Sequence, residues 1–164
     1  MTTTSVDGRI DLPRRSGDRP RTRAHNPHQQ LSQLAPPDLQ ETLWSRMTAL
    51  NGVLLGHSGV SLPDTRALHL RPTIAKGPGE AYLAGTEFAH LHGYDDGSLH
   101  MCLPKDIAAE AIAQGWAELH PMARQRFLPQ TLVMVYGPRD LDELEVVWRL
   151  VRISHGFARG AATA

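Results

Sequence analysis

The stretch EFAHLHGYDDGSLHMCL, residues 87–103, decides the fold, because residue type alternates on both sides of a single turn signal. Side chains on a strand point to opposite faces with period 2. His90 and His92 therefore share one face, and Ser98, His100 and Cys102 share one as well. Ala89, Leu91, Leu99, Met101 and Leu103 make a continuous apolar stripe on the other. Between the two runs, Asp95-Asp96-Gly97 fits a three-residue hairpin loop, a type I turn followed by a glycine in the left-handed region. That loop sets Tyr94 opposite Ser98, His92 opposite His100 and His90 opposite Cys102. A two-residue loop on Asp96-Gly97 would put His92 opposite Met101 and mix the faces, which register rules disfavour when one face is buried. The stretch predicts an antiparallel hairpin with one core face and one face of imidazoles.

Helices flank this hairpin. Pro36-Pro37-Asp38 opens one whose apolar residues Leu39, Leu43, Trp44, Met47 and Leu50 fall on one stripe, with Gly52 as the stop. Residues 65–70 alternate as a strand that carries His69, and residues 72–79 form a loop punctuated by glycine and proline. Pro104-Lys105-Asp106 starts a second helix, with Gly115 beyond its end and Trp116 folded back. After a loop over residues 119–129 comes an apolar strand, residues 131–136. Asp140 and Glu143 then cap a last helix that repeats Leu144, Val147, Trp148 and Val151 at helical spacing. Antiparallel strands interrupted by single helices predict an α+β domain, a small antiparallel sheet with helices packed mainly on one face.

Composition narrows the class. The chain has 164 residues, 41% of them hydrophobic, enough for one ordinary core, and one domain over residues 36–160 is expected. Residues 1–35 hold six arginines against three aspartates, net +3, in a chain whose seventeen basic and seventeen acidic residues balance. Few large apolar groups lie there, so these residues read as a disordered arm rich in arginine and proline. The overall charge balance gives no global basic field for nucleic acid or an anionic membrane. A single cysteine, Cys102, excludes an intramolecular disulfide framework and a multi-cysteine zinc site. No apolar run approaches the roughly 18 residues that span a bilayer. The chain reads as soluble and cytoplasmic, with a small molecule as its partner and its oligomeric state left open.

Reading on from the hairpin, TEFAHLHGYDDGSLHMCLP, then QGWAELHP, then VYGPRDLDELEVVWRLV form an ordered series that resembles the luciferase domain typified by the fungal luciferases. The resemblance covers roughly residues 65–158. It matches Glu87, His90, His92, Tyr94, Asp96 and His100 in the first motif, Gly115-Trp116 and His120-Pro121 in the second, and Tyr136, Pro138 and Arg139 in the third. His69 lies on a strand similar to one in that family. The resemblance implies an enzyme that adds O2 to a hydroxylated α-pyrone, 3-hydroxyhispidin, giving a peroxide that loses carbon dioxide and emits light with no known organic cofactor. The family's membrane anchor has no counterpart here, where the arginine-rich arm stands instead.

Two chemistries suit the imidazole face. In one, a histidine takes the proton of an enol hydroxyl, the enolate reacts with O2, and a second histidine or Arg139 steadies the developing oxyanion. In the other, His90, His92 and His100 bind a metal such as iron, copper or zinc, all of which imidazole suits. The catalytic set is His90, His92, His100 and His120, with His69, Glu87, Tyr94, Asp96 and Arg139 as substrate-binding candidates. Glu87 alternates with the apolar residues, so it joins the imidazoles only if a bulge re-aims it; otherwise it is a salt-bridge residue. Asp96 shapes the turn. Tyr94 covers a planar ligand or packs. Cys102 shares the histidine face without an evident base and reads as a packing thiol. A non-catalytic module that holds a small aromatic or polyketide-like ligand is the rival to an oxygenase.

Overall fold

The structure, a computed structural model, describes residues 10–161. Helix α1 (Pro37–Thr48) leads into strands β1 (Val53–His57), β2 (Arg66–Leu70), β3 (Glu87–Leu91) and β4 (Leu99–Cys102). Helix α2 (Lys105–Ala113), strand β5 (Ala117–Leu119), the short helix α3 (Pro121–Arg124), strand β6 (Leu132–Val135) and helix α4 (Leu141–Ala158) complete the chain. The strands form one six-stranded sheet in the order β1-β2-β3-β4-β6-β5, antiparallel throughout. The fold is α+β, as the sequence predicts.

Helix signals lie where the sequence puts them. Pro37 opens α1, where a missing N–H costs nothing. Gly115, with φ +88°, terminates α2 in the left-handed conformation that a Cβ would strain. The Asp140 carboxylate accepts from the Glu143 N–H at 2.8 Å, and Glu143 Oε1 accepts in turn from the Arg139 N–H at 3.0 Å. Helix α4 then lies across β3 and β4, with α1 against α4 and β1 and with α2 against β5. Ala89, Leu91, Leu99, Met101 and Leu103 meet Leu144, Val147, Leu150 and Val151 of α4 in one core. Each fully buried leucine there contributes roughly 1.5–3 kcal/mol relative to an exposed one.

The hairpin has its predicted faces but not its predicted register. Ala89 pairs with Met101, His90 with His100 and Leu91 with Leu99. The His92 N–H donates to the Ser98 carbonyl at 3.0 Å, so the loop is residues 93–97 and not Asp95-Asp96-Gly97 alone. The pairing differs from the expected one by two residues, which conserves every face. Asp96 is the cause. Its side chain folds back to accept from the Ser98 N–H at 3.0 Å and is only 3% exposed, and Gly97, with φ +74°, takes the left-handed position. Two further elements occupy stretches that carry no strand signal: the largely exposed edge strand β1 and the short strand β5. The predicted loop over residues 119–129 contains α3.

The largest correction concerns the arm. Residues 1–9 lie outside the described residues, but residues 10–35 pack against the domain and are not a solvated tail. Leu12 enters the core on the helix side, and the Arg15 N–H donates to the Gln114 carbonyl at 2.9 Å. Arg19 reaches the Ala117 carbonyl at 2.9 Å, past the β5 edge, and His28 arrives on the imidazole face. Composition misleads here because only a few apolar residues such as Leu12 are buried, and polar contacts both within the segment and to the domain hold the rest. Arg15 donates to the Asp18 carbonyl and Gln33, while Gln30 donates to the carbonyls of Ser32 and Gln33 and accepts from the Gly137 N–H.

Candidate functional site

His90 and His92 on β3 and His100 on β4 converge on the sheet face away from the helices, as the alternation predicts. His90 Nε2 lies 3.2 Å from His92 Nε2 and 3.0 Å from His100 Nδ1, and the last two are 3.0 Å apart. All three side chains are buried. Their ring planes stand 52–88° apart, so they approach a common point from different directions.

Each ring directs its remaining nitrogen to an acceptor. His90 Nδ1 meets Glu87 Oε2 at 2.8 Å. Glu87 reaches it because a bulge interrupts the β2–β3 pairing at Leu68/His69, which turns both Phe88 and Ala89 into the core and Glu87 onto the imidazole face. The Ser58 hydroxyl and the Gly59 N–H complete the Glu87 carboxylate, each at 2.8 Å. His92 Nδ1 lies 2.8 Å from Ser98 Oγ and 3.3 Å from Asp96 Oδ2, and the Ser98 hydroxyl donates to Asp96 Oδ1. His100 Nε2 lies 2.8 Å from His28 Nδ1, whose own Nε2 meets Glu118 Oε1 at 3.1 Å.

These partners assign the tautomers of the neutral rings. A carboxylate only accepts, so His90 carries its proton on Nδ1 and His28 on Nε2. His28 Nδ1 is then a lone pair that accepts from His100 Nε2–H. Ser98 spends its proton on Asp96, so His92 carries its own on Nδ1. Three lone pairs are left, on His90 Nε2, His92 Nε2 and His100 Nδ1, all facing one another.

For His90 and His100 the electrostatics favour the neutral form. Burial lowers His90 below the ordinary imidazole range although Glu87 opposes it, and burial with the neighbouring imidazoles holds His100 well below that range. Burial works to raise Glu87 and Asp96, but the hydrogen bonds of His90 to the first and of His92 and Ser98 to the second prevail and hold both low. Both carboxylates are thus charged and buried, and among the described residues neither is bonded to a lysine or arginine.

His120 joins from the start of α3, its ring centroid 4.7 Å from that of His100. Its Nδ1 accepts from the Met122 N–H at 3.0 Å, which puts the ring proton on Nε2. Burial first, then the surrounding histidines, lower it to about 4, so it is a neutral N–H donor at pH 7. Over the cluster lies a cavity of about 380 Å³, in the size range of small-molecule sites. His92, His100 and His120 line it, with residues 26–29 of the arm and Val60, Leu62 and Asp64 as further walls.

Other candidates lie elsewhere. His69 bonds the His57 carbonyl at 2.9 Å and does not line the cavity. Tyr94 is 57% exposed, with its hydroxyl on Glu41 and the Arg66 guanidinium over its ring. Arg139 is engaged by Glu143, Gln33 and the Ser16 carbonyl and faces a separate surface recess. These three side chains lie away from the cavity, which gives no support to the substrate-binding roles expected for them. Cys102 packs with Leu83, Ala123 and Leu132, and burial pushes its thiol up to about 12, as suits a packing residue. Sequence reasoning missed His28, Ser58 and Glu118. Glu118 had a signal, since it precedes His120 by two residues; His28 sits in a polar segment with no periodicity to place it.

The candidate site is thus an imidazole cluster buried in a small sheet beneath an organic-sized cavity, and the segment that builds most of it is also the one that matches known proteins. A family model described as the luciferase domain matches residues 85–154, the segment that supplies β3, β4 and His120. In alignments 163 positions long that cover 90% of this chain, the sequence is 31% identical to the luciferase of Armillaria ostoyae and 30% identical to that of Armillaria gallica. The luciferase of Neonothopanus nambi is 29% identical over the same extent. Residues 85–154 thus match the luciferase-domain family, and the chain as a whole is similar to the fungal luciferases. It spans 61% of the length of those relatives. No solved structure matches it. Among the described residues no helix is long and apolar enough to cross a membrane.

Proposed function

We propose that this chain is an oxygenase that adds O2 to an enolisable small molecule, a hydroxylated α-pyrone or a similar aromatic or polyketide compound, bound over the histidine cluster. The observation that carries the proposal is the pair of unprotonated imidazole nitrogens, His92 Nε2 and His100 Nδ1, on residues that line the cavity beside a neutral imidazole donor, His120. An enol hydroxyl brought there loses its proton to a site that compensates the enolate's charge, and the His120 N–H steadies oxygen-centred negative charge. The enolate carbon supplies both electrons to O2, a carbon–oxygen bond forms, and the proton returns to the distal oxygen. The product is a hydroperoxide beside a carbonyl, with all atoms of enol and O2 retained. Val60, Leu62 and Pro27 offer apolar cover for a planar ring. Similarity to relatives named luciferases supports the same chemistry.

Oxygen uptake by the purified chain with a panel of hydroxylated α-pyrones tests this. Uptake matched by loss of the pyrone is expected. Saturable pyrone binding without oxygen uptake would replace the oxygenase with a ligand-binding module.

A further inference from the structure

We infer that His90, His92 and His100 form a binding site for one divalent first-row transition-metal ion, with coordination positions left open toward the cavity. The inference stands on the lone-pair geometry and does not depend on the oxygenase reading.

Three observations converge. The first is direction. With every outward ring nitrogen committed to Glu87, to Ser98 and Asp96, or through His28 to Glu118, three lone pairs point at one another, an arrangement that repels unless a cation sits among them. The second is distance. Imidazole nitrogens at about 2.0–2.1 Å from a shared ion stand about 2.9 Å apart at an octahedral angle and about 3.3 Å apart at a tetrahedral one. The three separations here, 3.0, 3.0 and 3.2 Å, fall within that interval. The third is charge. Glu87 and Asp96 are buried at 0% and 3% exposure without a guanidinium or ammonium partner, and charge buried in this way requires compensation. Carboxylates behind metal-bound histidines are the usual means of fixing ring orientation and raising ligand basicity.

A second group fails the same test. His28, His100 and His120 also lie close enough to share an ion. However, the His28–His100 contact needs a proton between its nitrogens, and His120 uses Nδ1 to accept from the backbone. Their nitrogens are spent on each other and on the chain. Only the inner three offer free lone pairs, and only His92 and His100 of these also line the cavity, so a ligand entering from it meets the ion beside them. Three imidazoles suit zinc, copper, iron and nickel; an ion held there would occupy the lone pairs that the metal-free reading assigns to the enol proton and would itself supply charge compensation for an anionic ligand.

The test is metal binding by the whole chain after chelator dialysis, using Co2+ under anaerobic conditions as the spectroscopic probe and Zn2+ as competitor. One equivalent of Co2+ should bind with visible d–d absorption and be displaced by Zn2+. His92→Ala and His100→Ala should weaken binding by at least 100-fold, while His69→Ala should leave it unchanged. Glu87→Gln should weaken it 10- to 100-fold with the native circular dichroism spectrum retained, because the negative charge behind His90 is lost and a single amide oxygen replaces the two that accept from the Gly59 N–H and from His90 Nδ1–H. If the alanine variants do not fold, Glu87→Gln decides alone. No saturable Co2+ uptake by the folded parent, or parental affinity in Glu87→Gln or in folded His92→Ala, overturns the site. Since the readout is binding, an absence of metal leaves the oxygenase proposal standing, and an absence of oxygen uptake leaves the metal site standing.

Discussion

The two faces of the β3–β4 hairpin are buried to the same degree and held by opposite means. On one, Ala89, Leu91, Leu99 and Met101 close against α4 with no polar atom to satisfy. On the other, His90, His92, Ser98 and His100 are equally hidden, yet every ring nitrogen needs a partner. An apolar face is completed by any packing of the right volume. A buried polar face is completed only by particular atoms, so the imidazoles draw in Ser58 from the loop after β1, Glu118 from β5 and His28 from the arm. The difference explains why the apolar face is legible from residue type alone, whereas the site depends on particular residues from three separate segments.

Substitution on each face separates the two roles. His92→Ala should lower oxygen uptake with a hydroxypyrone by 10²- to 10⁴-fold, the range for loss of a positioned acid–base group, with the circular dichroism spectrum retained. Full uptake by that variant would break the functional half of the comparison. Leu99→Ala should cost about 2–5 kcal/mol in denaturant unfolding, the range for truncating a buried leucine, and leave uptake per folded molecule within a few fold. A near-parental midpoint would show that the apolar face does not carry the fold.

Legibility in the sequence divides along the same line. Period-2 alternation placed His90, His92 and His100 together and Leu99 and Met101 opposite, because that pattern follows from strand geometry alone. The loop was longer than the glycine signal implied: Asp96 shapes the turn through the Ser98 N–H, as expected, and also turns its other carboxylate oxygen inward toward His92. Glu87 was legible only as a choice between two readings, and a bulge decided it. His28 was illegible. It lies in a segment whose order depends on contacts such as those of Arg15 with Gln33 and of Gln30 with Gly137, which pair residues far apart in the chain and leave no periodic trace.

That segment offers a smaller effect. His28→Ala removes the acceptor of His100 Nε2–H and exposes His100 to cavity water in its place. The expected loss is about tenfold in kcat, or about 1.4 kcal/mol in the barrier, with partial recovery in His28→Gln, whose amide oxygen can accept. An unchanged kcat in His28→Ala would confine the arm to a wall of the cavity.

The smallest effect is expected at Arg139, where the family resemblance and the geometry disagree. The resemblance implies an anion-holding role, whereas the structure directs the guanidinium to Glu143 at 2.7 and 2.9 Å and to the Ser16 carbonyl at 2.7 Å. Its recess, shared with Pro36, Leu39 and Asp140, has no residue in common with the imidazole cavity. In Arg139→Ala the Glu143 carboxylate still has Arg15 Nε at 3.9 Å and the helix N–H groups beside it, so the loss of a partly exposed ion pair should cost no more than about 1 kcal/mol. KM and kcat for a hydroxypyrone should stay within twofold of the parent. A tenfold rise in KM at unchanged stability would instead mean that Arg139 leaves Glu143 to meet the ligand, and the boundary of the site would have to be redrawn around it.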